Sequence, residues 1–321
     1  GAGSITFVVQ DNLGATASKV LDLVVMPASA PPPAPEAGAA TSISETSFYA
    51  NWSTVAEASK YRLDVSASSN FTSYVSGYSN LLLGSQVTSL EVTGLSGGQT
   101  YYYRVRGQNS QGAGANSATI AILTIPAAPA MQGATDIGTT SFQINWSAST
   151  GASNYYLDVA TDYNFSSYIS GYQNRSMGTA TSCVVSGLSA GHAYYCRVRA
   201  QNSSGISDNS YEYEAWTTIE APVALPATGI TAESFVANWS AVTGADIYLL
   251  DVATDSGFAN YVPGYQNLDI WGGTSCEVTG LTTGQTYYYR VRAISFYSGE
   301  TAYSGTISVL LGKAGQTIAF A

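Results

Sequence analysis

The chain has 321 residues, 45% of them hydrophobic and only 10% charged, with 11 Lys and Arg against 21 Asp and Glu for a net charge of −10. That is length for two to four small domains, each with a packed core under a surface of Ser, Thr, Asn, Gln, Tyr and Gly. So few cations cannot build a basic patch for nucleic acid or anionic membrane, and no apolar run reaches the ~18 residues of a bilayer-spanning helix.

The first predicted element is a hairpin. Ser4 to Val25 alternates apolar and polar residues on both sides of an Asp-Asn-Leu-Gly turn at Asp11. An isolated hairpin is marginal in water, so residues 1–29 are expected to close a preceding module, with the chain as a piece of a longer protein. Next comes "PASAPPPAPEAG", Pro27 to Gly38, whose proline-dense part favours a stiff extended spacer.

From there the chain repeats itself. Trp52, Trp146 and Trp239 are spaced 94 and 93 residues apart. "LDV" recurs at Leu63, Leu157 and Leu250, "GY" at Gly77, Gly171 and Gly264, and "YYYRVR" at Tyr101 and Tyr287, with "YYCRVR" at Tyr194. A period near 93 is the length of a small domain, too long for a solenoid turn. Within each copy the period is two: Tyr61, Leu63 and Val65 alternate with Arg62 and Asp64, and Tyr101, Tyr103 and Val105 with Tyr102, Arg104 and Arg106. Short strands joined by Gly/Ser/Thr/Asn turns, with no amphipathic helix, predict all-β two-sheet sandwiches. The copies are placed at residues 30–125, 126–220 and 221–311, with the proline-bearing joints "TIPAAPA" and "IEAPVALPA" between them. Residues 312–321 form a last strand, read as the start of a following module or as a donor strand that completes a neighbouring molecule.

The three copies resemble the fibronectin type III family over residues 34 to 311. The resemblance rests on a core Trp on the second strand (Trp52, Trp146, Trp239) and a Tyr opening the third (Tyr61, Tyr155, Tyr248). It rests also on a Leu before the last-but-one strand (Leu95, Leu188, Leu281), followed six residues later by a corner Tyr (Tyr101, Tyr194, Tyr287). The "F..Y..GY.N" insert looks like the variant of bacterial multi-module secreted proteins, and the terminal pieces look like parts of bacterial immunoglobulin-like modules. The family implies tandem immunoglobulin-like sandwiches used for adhesion, spacing or recognition. The Arg-Gly-Asp tripeptide of animal integrin ligands is absent from the sequence.

On that fold the named Trp, Tyr and Leu residues are structural core. Asp64, Asp158 and Asp251 face Arg104 and Arg106, Arg197 and Arg199, and Arg290 and Arg292 on the adjacent strand, as exposed charge pairs on the sheet face. Cys183 and Cys196 point inward from opposing sheets and are candidates for a cross-core disulfide, the alternative being two buried thiols; Cys276 is expected to be a buried free thiol. Asn51, Asn145 and Asn238 head Asn-X-Ser/Thr triplets and are expected to face outward. An exposed aromatic strip is expected from Tyr265, Trp271, Phe296 and Tyr297, the last two where the third copy departs from the "QNSQG" and "QNSSG" turns. The lone His192 is a turn residue where the other copies carry Gln99 and Gln285, so no Ser-His-Asp arrangement repeats, and neither a cofactor nor a metal is implied.

The expected function is therefore non-enzymatic: a structural or adhesive multi-module rod of a large secreted or cell-surface protein, with an extracellular fibre or surface-layer subunit as the sharper form. Its partners would be other proteins, including copies of itself joined through terminal strands. The alternative is a carbohydrate-binding or accessory spacer region of an exported hydrolase, with polysaccharide as the partner.

Overall fold

The computed structural model describes residues 2–24 and 30–312. The backbone divides into two compact units, one up to Thr124 and the other from Ile125 onward. Every strand pairing among the described residues is antiparallel.

The first unit opens with the hairpin Ala2–Gln10 and Thr16–Val24. Asp11 makes its turn by accepting the backbone N–H of Leu13 and of Ala15, each at 2.9 Å. Ile5, Phe7 and Val9 share one face of this hairpin and are exposed. The strand expected over residues 312–321 lies, beyond Gly312, outside the described residues.

The first sandwich packs a small sheet, Phe48–Asn51 with Ser89–Val92, on a second sheet ordered Leu81–Gly84, Lys60–Ser66, Thr100–Asn109, Gly112–Ala113; Ile120–Leu123 also pairs with Thr100–Asn109. Period-two alternation explains its core. Tyr101, Tyr103 and Val105 turn inward and are buried, whereas Tyr102, Arg104 and Arg106 lie on the other face. Phe48 and Tyr103 stack across the core with centroids 5.8 Å apart.

The second unit holds two more sandwiches with the same larger sheet and a third strand in the smaller one. Met131–Thr135, Ser141–Trp146 and Ser182–Ser186 form one sheet of the second sandwich. Its other sheet runs Arg175–Ser176, Asn154–Ala160, Ala193–Asn202, Gly205–Ile206, with Tyr213–Trp216 paired to Ala193–Asn202. In the third sandwich Ala224–Thr228, Phe235–Trp239 and Ser275–Val278 face Leu268–Trp271, Ile247–Ala253, Thr286–Ser295 and Gly299–Glu300, with Ile307–Leu310 paired to Thr286–Ser295. Trp52, Trp146 and Trp239 are at most 5% exposed, each in its own core cluster with Leu95, Leu188 or Leu281.

Tyrosine hydroxyls tie loops to these cores. The corner residues Tyr101, Tyr194 and Tyr287 accept the N–H of Ser96, Ser189 and Thr282 at 2.8–2.9 Å. Tyr61, Tyr155 and Tyr248 do the same for Val55, Ser149 and Val242 at 2.7–2.8 Å. The amides of Asn51, Asn145 and Asn238 are also structural. Each Nδ2 donates across to the first strand, to the Oγ1 of Thr41, Thr135 and Thr228 at 3.1–3.2 Å, and to a backbone carbonyl there. The Asn side chains expected to face outward thus serve as strand-to-strand clamps.

Candidate functional site

The repeated charged motif differs from expectation in one respect that matters. Asp64, Asp158 and Asp251 are 3%, 2% and 0% exposed, so the pairs are not surface pairs. The cause is the "F..Y..GY.N" insert, which folds over the sheet face as a lid. Its Phe and Asn both take positive φ, at 54–56° for Phe71, Phe165 and Phe258 and 51–59° for Asn80, Asn174 and Asn267. The turn at Asn aims its N–H at the carboxylate: Asn80, Asn174 and Asn267 donate to Oδ1 of Asp64, Asp158 and Asp251 at 2.7, 2.6 and 2.8 Å. The Phe slides under the first Arg, with the guanidinium carbon of Arg104, Arg197 and Arg290 3.9–4.1 Å from the ring centroid.

Each buried carboxylate is therefore met on all sides. Asp64 Oδ2 accepts from Arg104 and Arg106, both at 3.1 Å, and Asp158 Oδ2 from Arg197 at 3.1 Å and Arg199 at 3.3 Å. Arg106 and Arg199 also donate to the side-chain oxygen of Asn80 and Asn174, which closes the node. The third copy departs. Arg290 bonds Asp251 at 3.0 Å, and Arg292 keeps the bond to the Asn267 side-chain oxygen at 3.0 Å but pairs with Glu300 at 2.8 Å in place of the Asp, while Tyr303 packs under both guanidiniums. This geometry fixes the insert on the sheet and holds no open acceptor for a ligand.

The cysteines make no cross-core bridge: Cys183 and Cys196 are free and buried, and burial pushes both thiols up. Cys276 is free and only half-buried, in contrast to the buried thiol expected. Cys196 stands where the other copies have Tyr103 and Tyr289, whose hydroxyls donate to the carbonyls of Gly38 and Leu225. Its register partner is Tyr213, where the other copies pair Tyr103 with Ile120 and Tyr289 with Ile307. The Tyr213 hydroxyl sits 3.3 Å from where a Cβ on Gly133 would lie, so the ring has changed strands while filling the same region of the core.

The aromatic strip is also rearranged. Tyr265 is not part of it: it packs against the third core, and its hydroxyl accepts the N–H of Thr279 at 3.0 Å. Trp271, Phe296 and Tyr297 are exposed, at 67%, 64% and 66%. Trp271 and Phe296 meet with centroids 6.2 Å apart. Tyr297 stacks flat on Trp216 of the second sandwich, 4.0 Å apart at 8°. Trp216 is not among the residues of the strip expected from sequence, although its failure to repeat in the other copies sets it apart.

That stack belongs to a packed joint. Ile219, in the connecting segment, is 5% exposed and sits in the third core. The turns around Gly191 and Gly244 pass backbone to backbone: a Cβ on Gly191 would lie 2.3 Å from the Thr243 carbonyl oxygen. Beside them lies an open cleft of about 610 Å³, lined in part by His192 and Glu220. His192 is held in its turn by a 2.7 Å contact between Nδ1 and the Ala190 carbonyl. Among the described residues no group of His, Cys, Asp and Glu is placed to hold a metal ion, and no helix is long and apolar enough to cross a membrane.

Comparison with known proteins agrees with this architecture. The chain is 28% identical over 171 residues to human Fibronectin type III domain-containing protein 7, covering 53% of this chain and 22% of that protein. It is 26% identical over 205 residues to Chitinase A1 of Niallia circulans, covering 58% and 26%. It is 25% identical over 298 residues to Protein sidekick-1 of Gallus gallus, covering 81% and 13%. The chain thus spans about a quarter or less of the length of these relatives. The family model for the fibronectin type III domain matches residues 33–122 and 127–216, more than half of the chain, and the third sandwich repeats the sheet order of the second. The chain belongs to the fibronectin type III family.

Proposed function

We propose that the chain is a non-enzymatic structural spacer in a secreted or cell-surface protein, in which the self-contained second and third sandwiches are held against each other by a built joint. The observation that carries this reading is the joint between the second and third sandwiches. A flexible string of domains needs no such contacts. Here Trp216 stacks on Tyr297, Ile219 is buried in the next core, and two glycines let the turns touch. The repeated residues support the same reading, because the buried Asp–Arg–Asn nodes and tyrosine clamps serve each sandwich's own fold.

The test is ¹⁵N relaxation on the intact, deuterated chain. The second and third sandwiches are expected to tumble with one shared correlation time. Trp216→Ala with Tyr297→Ala should let them tumble apart while each keeps its strand chemical shifts. Independent tumbling in the unaltered chain would remove the reading's support.

A second reading is favoured by the likeness to Chitinase A1: an accessory spacer of an exported hydrolase, in which the joint sets the reach of a catalytic domain elsewhere in the protein. The fibre form of the proposal rests on strand donation by residues 312–321 and is decided by what pairs with them in assembled material.

A further inference from the structure

Five aromatic residues that do not repeat between the copies gather on one surface that crosses the joint. Tyr163 replaces Ser69 and Ser256, Trp216 replaces Leu123 and Leu310, and Trp271 replaces Gly84 and Gly178. Phe296 and Tyr297 stand in a turn that is Ser110-Gln111 in the first copy and Ser203-Ser204 in the second.

Their contacts form a chain. The Tyr163 ring meets Tyr195 edge-on, with centroids 5.9 Å apart. Tyr195 donates its hydroxyl to Glu214 Oε1 at 3.2 Å, and the same oxygen accepts Trp216 Nε1 at 3.1 Å. Trp216 stacks on Tyr297 at 4.0 Å, Phe296 is the next residue in sequence, and Phe296 meets Trp271 at 6.2 Å. Glu214 is Ala121 in the first copy and Ser308 in the third, so the carboxylate that fixes two of these rings is also peculiar to this place.

The floor beside Trp271 has changed as well. Trp271, Ile247 and Ile294 are register neighbours across the third sandwich's sheet. The first copy has Gly84, Lys60 and Gln108 there, and the second pairs Asn154 with Gln201. A polar strand end has become an apolar one, bordered by exposed rings.

We propose that this aromatic track binds a neutral, linear polysaccharide. Pyranose rings present C–H faces that stack on aromatic side chains, each stack is weak, and a train of held rings suits a chain of sugars. Charge narrows the class. Asp162 and Glu214 flank Tyr195, exposed Asp269 shares a strand face with Trp271, and Arg292 is neutralised by Glu300. The surface is acidic, which disfavours polyanionic glycans and disfavours a second copy of this chain with its net charge of −10. The proposal stands apart from the spacer reading, since a stiff joint needs no ligand and a sugar site needs no spacer.

The experiment is affinity electrophoresis of the intact chain in native gels containing hydroxyethyl cellulose, galactomannan or glycol chitin, with polygalacturonate as the anionic control. At least one neutral polymer is expected to retard the chain. Trp271→Ala and Tyr163→Ala, on different sandwiches and at side chains 67% and 61% exposed, are each expected to weaken that retardation at least ~10-fold without changing thermal unfolding. Tyr211→Ala, at a side chain 92% exposed and off the track, is expected to leave it unchanged. Absence of retardation by every neutral polymer, retardation that survives both substitutions, or equal retardation by polygalacturonate overturns the proposal. So does self-association in sedimentation that Trp271→Ala abolishes, which would give the surface to a second copy.

Discussion

Asp158→Asn tests whether the repeated node is a buried device or a surface ornament. The substitution keeps the side chain's size and an oxygen for the Asn174 N–H, but it turns an amide toward two guanidinium donors that lose their counter-ion. Removing one partner of a fully buried pair costs about 3–5 kcal/mol. Asp158 is 2% exposed, but the side chains of Arg197 and Arg199 are 21% and 23% exposed and keep part of their hydration. That lowers the expected cost to about 2–3 kcal/mol. Hydrogen exchange read by mass spectrometry isolates the affected sandwich, because peptides from Lys60–Ser66 and Thr100–Asn109 act as internal controls. Amides in Asn154–Ala160 and Ala193–Asn202 are expected to exchange roughly 30- to 150-fold faster, at about 1.4 kcal/mol per factor of ten. A change worth less than about 0.5 kcal/mol, the scale of an exposed pair, would refute the claim that the lid desolvates the carboxylate.

Two further outcomes separate the copies. A double-mutant cycle between Asp64→Asn and Arg106→Ala should show coupling of at least ~1 kcal/mol, whereas the matching cycle between Asp251→Asn and Arg292→Ala should show little, because Arg292 bonds Glu300 instead; hydrogen exchange in each sandwich reads both. Cys196→Tyr alone should overpack the second core against Tyr213 and cost about 1–3 kcal/mol, and adding Tyr213→Ile should return stability to within ~1 kcal/mol by restoring the Tyr–Ile pair of the other copies; equal destabilisation of single and double variants would deny the exchange of rings.

The sandwiches were legible because strand alternation and a domain-length period are properties of sequence alone. Tyr101, Tyr103 and Val105 cannot all face inward on anything but a strand. The burial of Asp64, Asp158 and Asp251 was not legible from alternation, which assigns a side chain to a face of the sheet but does not say whether a loop covers that face. The clue was that Phe, Tyr, Gly, Tyr and Asn keep fixed spacing after every Asp: a loop whose φ angles and bonds are that constrained has a docking site. The disulfide reading failed for a related reason. Cys183 and Cys196 both register inward, but inward direction fixes neither their separation nor the presence of the Tyr213 ring in that core. Trp216 and Tyr297 lie 81 residues apart in sequence, and no local pattern pairs them; only their failure to repeat sets them apart.

That contrast bears on where function resides in the chain. The core Trp, the corner Tyr, the Asp node and the Asn clamp agree in all three copies, and each is bound into its own sandwich. A residue bound to its own fold in three places has little freedom to serve a partner. Positions that differ escape that constraint, and a random scatter of differences would leave them spread over three surfaces. Instead Tyr163, linked through Tyr195, joins Glu214, Trp216, Tyr297, Phe296 and Trp271 in one chain of contacts across one joint. Rings at 61–67% exposure carry a solubility cost that a passive spacer has no use for, which is the physical reason to look for the partner on that surface.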